Sequence, residues 1–201
     1  MPQLIIFRHG QSIWNLENRF TGWTDVGLTE QGIEEAKEAG EKLKGFKLHK
    51  GYASALKRTQ ESLLIALKVC GQENIPVVFS KALNERNYGD LQGLNKAETA
   101  KKFGRELVNK WRRGYDIAPP HGESLKDTVD RVIPYFEQVI KPDLKENKNI
   151  VTSTHGNTMR ALIMHLEIIS PEEIVKLEFN TGEMRLYEFD NHANVQKMVQ
   201  L

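Results

Sequence analysis

Leu4-Ile5-Ile6-Phe7-Arg8-His9-Gly10 is the stretch that decides how the rest of the chain reads. Four apolar, strand-forming residues with no polar alternation suit a strand covered on both faces, as in a parallel sheet held between helices. The run stops at a charged, glycine-bearing tripeptide. In an open sheet of that kind, the carboxyl ends of the strands open onto the crevice where ligands bind. The pattern returns far along the chain, where Ile150-Val151-Thr152-Ser153-Thr154 runs straight into His155-Gly156. Two histidines would then face each other across one crevice, each followed by a glycine that lets the backbone turn sharply and approach a ligand.

Between and beyond these landmarks, strands and helices alternate. Thr29 caps a helix whose apolar positions Ile33, Ala36, Ala39 and Leu43 recur at helical spacing, with Gly45 at its end. Tyr52-Ala53 reads as a second short strand, Leu56 to Val69 as a second helix, and Pro76 to Phe79 as a third strand. Asn95 to Gly114 reads as polar helix, ended by Pro119-Pro120. A new helix starts at Ser124, with Leu125, Val129, Val132, Phe136, Val139 and Ile140 on one face. Pro134 and Pro142 predict a kink or an early end there. Helix follows His155 through Leu166, Ser170-Pro171-Glu172-Glu173 is a strong helix start, and Met184 to Phe189 and Val195 to Val199 close the chain as strands.

The expectation is an α/β fold: a three-layer sandwich with a mostly parallel sheet and helices on both faces. One domain over residues 1–201 is expected, with a helical excursion around 95–122. The 28 basic and 27 acidic residues of the 201-residue chain leave a formal charge of +1. That balance argues against nucleic-acid or membrane-surface binding driven by bulk charge. No apolar run approaches the ~18 residues of a membrane span. The N-terminus lacks the features of a secretory signal, and the single cysteine, Cys70, fits a reducing compartment, so a cytoplasmic location is expected. Cys70 itself reads as a small buried hydrophobe.

The common phosphate-loop, dinucleotide, zinc-protease and nucleophile-elbow signatures are missing. Each remaining candidate has a bland alternative. A histidine after a strand can simply bridge loop carbonyls; Arg58, at the start of the second helix, can be a surface residue; Glu85 and Arg86 follow the third strand in a loop where carboxylates are commonplace. The matching settings of His9 and His155 weigh against that reading for the pair. Residues 96–113 carry seven basic residues against two acidic ones. Lys101, Lys102 and Arg105 suit a solvated face, whereas Trp111-Arg112-Arg113 suits bidentate capture of carboxylate or phosphate. His49, His165 and His192 read as surface or packing residues, and His121 sits in a loop that could border the crevice. No histidine pair has the spacing of a zinc site.

Taken together, Arg8-His9-Gly10-Gln11-Ser12, Trp14-Asn15, Arg19-Phe20-Thr21-Gly22-Trp23, Leu56-Lys57-Arg58-Thr59, Leu83 to Gly89, Leu91 to Ala100, Trp111 to Gly114, Glu123-Ser124-Leu125 and Thr154 to Asn157 resemble the histidine phosphatase superfamily. Within it, the chain is similar to the 2,3-bisphosphoglycerate-requiring phosphoglycerate mutases over nearly its whole length. The resemblance implies a phosphoglycerate mutase-like fold and a small-molecule substrate, with 2- and 3-phosphoglycerate interconverted in glycolysis and gluconeogenesis. His9 would be the nucleophile that becomes phosphorylated, primed by 2,3-bisphosphoglycerate. Arg8, Arg58 and His155 would surround the migrating phosphoryl group, and Glu85 would be the general acid and base. Substrate contacts map onto Gly10, Gln11, Ser12, Asn15, Thr21, Gly22, Arg86, Asn87, Tyr88, Lys96, Arg112, Arg113, Gly156 and Asn157. Lys96 and the two arginines would take the carboxylate and the phosphate that is not transferring, and no metal is implied.

Longer family members carry an extra segment between the positions matching Pro120 and Glu123, and a polar tail past the position of Leu201 that covers the active site. A shorter cover implies more phosphatase side activity, so a phosphomonoesterase or bisphosphoglycerate phosphatase using the same histidine is the alternative. A non-catalytic binding protein on this scaffold conflicts with the joint presence of His9, Arg8, Arg58, Glu85 and His155. Shorter members differ in assembly from longer ones, which leaves a homo-oligomer open.

Overall fold

The computed structural model describes all of residues 1–201. β1 (Gln3–Arg8), β2 (Lys50–Ser54), β3 (Val77–Ser80), β4 (Ile150–Thr154), β5 (Met184–Phe189) and β6 (Val195–Gln200) form one sheet in the order β3-β2-β4-β1-β5-β6. Strands β3, β2, β4 and β1 run parallel, and β5 and β6 are antiparallel additions at one edge. The mostly parallel, three-layer α/β sandwich expected from the sequence is the fold observed.

β1 shows why its sequence lacks alternation. Leu4 and Ile6 point into one core cluster, while Ile5 and Phe7 point into the other, and all four are fully buried. On the second face lie α2 (Glu30–Leu43) and α3 (Lys57–Val69), which pack together where Gly40 abuts Ala66 and Val69. The first face carries α6 (Leu125–Tyr135), a π turn over Phe136–Ile140, α7 (Lys141–Lys145) and α8 (Gly156–Glu167). The remaining helices are short: α1 (Ile13–Leu16), α4 (Lys96–Phe103), α5 (Arg105–Arg113) and α9 (Pro171–Ile174).

Local signals set the boundaries. Thr29 caps α2 through the Gly32 amide, Ser124 closes a capping box with Asp127 at α6, and Ser170 caps α9 just before Pro171. Several expectations need correction. The polar helix over 95–114 is two helices, because Gly104 at φ +87 turns the chain between α4 and α5. The early end expected at Pro134 takes the form of a π turn that replaces the α-helix after Tyr135, which keeps Phe136 and Ile140 buried but swings Val139 outward, off the apolar face expected for it. Ile33 faces solvent, because α2 packs through its small residues Gly32, Ala36, Ala39 and Gly40. Cys70 is half-buried rather than fully enclosed.

The site is positioned by one topological feature. From β1 the chain crosses towards β2, and from β4 it leaves in the opposite direction to β5, so the carboxyl ends of neighbouring β1 and β4 flank a crevice. Arg8 pairs in register with Thr154, and the His9 amide donates to the Thr154 carbonyl at 2.9 Å. No helix is long and apolar enough to cross a membrane.

Candidate active site

Register alone brings His9 and His155 together: their rings meet edge to face with centroids 5.0 Å apart. Both are buried. Burial, with the charges of Arg58 and Arg8 added, pushes His9 well below the usual histidine range; burial and the neighbours Arg58 and His9 do the same for His155. Both rings are therefore neutral at pH 7.

Their tautomers follow from their partners. His9 Nδ1 lies 2.6 Å from the Gly10 carbonyl, which can only accept, so the proton is on Nδ1 and the lone pair on Nε2. Around His155 a chain of hydroxyls carries the same information. Thr59 donates to the Leu56 carbonyl, so the Ser54 hydroxyl donates to Thr59 at 2.7 Å, and His155 Nε2 donates to Ser54 at 2.8 Å. His155 Nδ1 is left buried without a partner.

A cavity of about 200 Å³ opens above these rings. Arg8, His9, Asn15, Thr21, Gly22, Arg58, Glu85, Tyr88, Lys96, Arg112, Arg113, Gly156 and Asn157, all singled out from the sequence, line it. Arg58 is buried, with its guanidinium donating to the carbonyls of Thr24 and Gly22 at 3.0 and 2.8 Å; burial lowers its pKa to about 10, and it stays cationic at neutral pH. Arg8 donates from Nη1 to the Phe179 carbonyl, while its Nε is buried and unpartnered. Glu85 is fixed through Oε1, which accepts from the Arg86 amide at 2.7 Å and from the amide and side chain of Asn157 at 3.2 and 3.0 Å. Its Oε2 has no such partner and is the oxygen free to exchange a proton. Burial lowers both Lys96 and Arg112, and neither has an acidic partner.

His155 and the sequence candidates Gly10, Gln11, Ser12, Arg86 and Asn87 do not line the cavity. His155 lies beneath His9. Gly10 is needed for a contact other than a ligand: a Cβ there would sit 2.1 Å from the Gly32 carbonyl oxygen of α2. The Ser12 hydroxyl caps α1 with Asn15, and Gln11 holds Thr29 and Glu35 at the start of α2. Arg86, fully buried, donates to the Arg112 carbonyl at 2.7 Å and to the Tyr88 hydroxyl, so it braces the cationic wall from behind. The Asn87 amide donates to Glu123 Oε2, and its side-chain oxygen accepts from the Gly89 amide. Trp111 joins Phe20, Leu91 and Val108 in a small core cluster and meets the exposed Phe103 edge to face, instead of stacking on its neighbouring arginines. His121 pairs with Asp90 away from the cavity. No group of three or more His, Cys, Asp or Glu residues is placed to hold a metal.

Sequence reasoning passed over Arg19, Arg160, Glu178 and Phe179, which also line the cavity. Arg160 could have been found: it is a lone charge in the apolar run Met159 to Met164 of a helix that is buried almost throughout. Glu178 and Phe179 carry no such signal, since they lie on an irregular segment between α9 and β5.

A neutral, desolvated imidazole with its lone pair free, two guanidiniums beside it and a carboxylate with one free oxygen can support transfer of an anionic group to and from nitrogen. Comparison with known proteins narrows the class. The profile of the histidine phosphatase superfamily (branch 1) matches residues 4–200. The chain belongs to this superfamily. It is 50% identical over 198 residues to a 2,3-bisphosphoglycerate-dependent phosphoglycerate mutase of Cytophaga hutchinsonii, covering 98% of this chain and 92% of that one. A protein of the same name from Parvibaculum lavamentivorans is also 50% identical, with 97% and 94% covered. Among solved structures, YhfR of Bacillus stearothermophilus superposes with a TM-score of 0.85 at 24% identity, covering 98% and 95% of the two chains. Phosphoglycerate mutase from Bacillus anthracis gives 0.81 at 22% identity, with 97% and 90% covered. These two superpositions establish a shared fold.

Proposed function

We propose that this chain is a 2,3-bisphosphoglycerate-dependent phosphoglycerate mutase, an isomerase that interconverts 2- and 3-phosphoglycerate through phosphorylated His9. The observation that carries the reading is the lining of one cavity. Beside the nucleophile it holds Lys96, Arg112 and Arg113, a set that a simple phosphomonoesterase does not need. We read the 201 residues as one domain, since a single sheet carries every strand, with 95–122 as its helical excursion.

His9 Nε2 attacks phosphorus as the bond to the departing oxygen breaks in line, and that oxygen takes a proton from Glu85 Oε2. In the return half, Glu85 Oε2 accepts the proton of the attacking hydroxyl as the bond between nitrogen and phosphorus breaks. Arg8 and Arg58 hold the equatorial oxygens where transition-state charge gathers. We assign His155 a supporting part beneath His9: an anion bound above the rings favours a proton from solvent on its unpartnered Nδ1. 2,3-Bisphosphoglycerate, when bound, supplies the phosphoryl group that charges His9. The residues present fit it: Arg8, whose Nε is buried and unpartnered, lines the cavity with His9, and so do the unpaired cations Lys96 and Arg112. We assign no metal, because guanidinium and imidazole supply the charge a cation would bring.

The deciding measurement follows 3-phosphoglycerate by phosphorus NMR with a trace of 2,3-bisphosphoglycerate. Equilibration with 2-phosphoglycerate that needs the primer and is lost in His9→Ala is the expected result. Release of inorganic phosphate without equilibration would make the chain a phosphatase on a mutase-like scaffold. Replacing Arg112 and Arg113 together should abolish equilibration.

A further inference from the structure

Seven cationic side chains line the cavity against two carboxylates, Glu85 and Glu178. Glu85 has its place in proton transfer. Glu178 has none in that scheme, yet it stands where the cations converge. One of its carboxylate oxygens is ion-paired with Arg113 Nη2, and the other lies 3.7 Å from Arg160 Nη2. These two arginines are held differently. Arg160 is buried and committed through Nε and Nη2 to the Leu177 carbonyl at 3.1 and 2.6 Å. Arg113 makes no other polar contact, so its guanidinium is occupied by Glu178 alone.

The Glu178 side chain is 68% exposed, on an irregular segment between α9 and β5. Exposed pairs of this kind are weak, because water replaces either partner readily. Arg113 lines the cavity, and in the proposed reading it takes a ligand's second anionic group. Such a group competes with the Glu178 carboxylate for the same guanidinium.

We infer that Glu178 is a resident counter-anion. Its carboxylate fills the place beside Arg113 that a ligand's second anionic group must take, and so sets how tightly the site holds doubly anionic ligands relative to singly anionic ones. The consequence is specificity by a difference: a singly anionic ligand such as inorganic phosphate enters beside His9 without disturbing Glu178, whereas a ligand with a second anionic group must displace it. That moderates affinity for the bisphosphorylated ligand and favours its turnover over its retention. The inference rests on the proposed reading only in assigning Arg113 to the second anionic group.

Calorimetric titration of the full chain carrying His9→Ala, which leaves bisphosphoglycerate no nucleophile to phosphorylate, tests it without any turnover. Inorganic phosphate and 2,3-bisphosphoglycerate are the two probes, and the Glu178 variants are added to that background. In Glu178→Gln, Kd for 2,3-bisphosphoglycerate should fall by about threefold to tenfold, while Kd for inorganic phosphate falls by under about twofold. Glu178→Ala should match it, and the difference should shrink as salt is raised. If bisphosphoglycerate binds no tighter, or more weakly, in both variants, the carboxylate positions Arg113 instead of competing for it, and the inference is wrong. Equal tightening of both probes would also overturn it, since that is a general field effect. Failure of the mutase reading shows separately, in the NMR experiment on the unmodified chain.

Discussion

At the scale of single residues, the site is defined by which polar atoms are committed and which are not. His9 spends its Nδ1 proton on Gly10, and Glu85 spends Oε1 on three donors, so each presents one free atom to the cavity. Ser54 and Thr59 fix the His155 tautomer without touching the cavity. Glu85→Gln tests the division of labour. The amide oxygen can keep the contacts of Oε1, but the side chain can no longer exchange a proton. Turnover in the phosphoglycerate assay should therefore fall by roughly a hundredfold to ten-thousandfold, with KM changed far less. A variant retaining more than about a tenth of wild-type turnover would remove Glu85 from proton transfer.

At the scale of elements, the catalytic loop is locked to α2 by two glycines in backbone contact. A Cβ on Gly10 would meet the Gly32 carbonyl oxygen at 2.1 Å, and one on Gly32 would meet the Gln11 carbonyl oxygen at 2.1 Å. Neither obstacle is the flexible end of a side chain, so the backbone itself would have to part. Gly10→Ala and Gly32→Ala should each cost about 1–3 kcal/mol in denaturant unfolding and reduce turnover by moving His9. Gly45→Ala, at the end of α2 with nothing within 4 Å, is the control and should be neutral or slightly stabilising. Gly10 also shows how far the sequence could be read. The strand before it, the histidine beside it and the need for glycine were legible, because apolar runs, caps and turn residues act locally. The reason for the glycine was not, because Gly32 reaches it only through tertiary packing. The same limit hid the inward reach of Glu178 and the switch of Val139 from the apolar face to solvent, which depends on one π turn. Arg86 was legible as a site residue by resemblance, but its placement behind Arg112 is a three-dimensional fact.

At the scale of the whole molecule, burying two neutral histidines beside arginines ties stability to pH. His9 and His155 both sit well below the ordinary 6.5 in the folded chain, so below that value the unfolded chain binds protons that the folded chain refuses. Stability is therefore fully present above about pH 6.5 and declines as pH falls from there towards the folded values. Asp143 does not contribute to this slope. Burial pushes it up, but hydrogen bonds from Lys148, Lys50 and Tyr52 outweigh that and hold it at about 2 against an ordinary 3.8, so its share is lost only in that acidic range. Melting temperature should accordingly fall between about pH 7 and pH 5, and less steeply in His155→Gln, which removes one of the two titrating rings. Inorganic phosphate adds a second sign to check. An anion beside the rings favours protonated His155, raising its folded pKa towards the unfolded value, so saturating phosphate should flatten the same slope. A slope of opposite sign would mean that the rings are charged in the folded chain, and a slope that phosphate leaves untouched would place the anion away from His155.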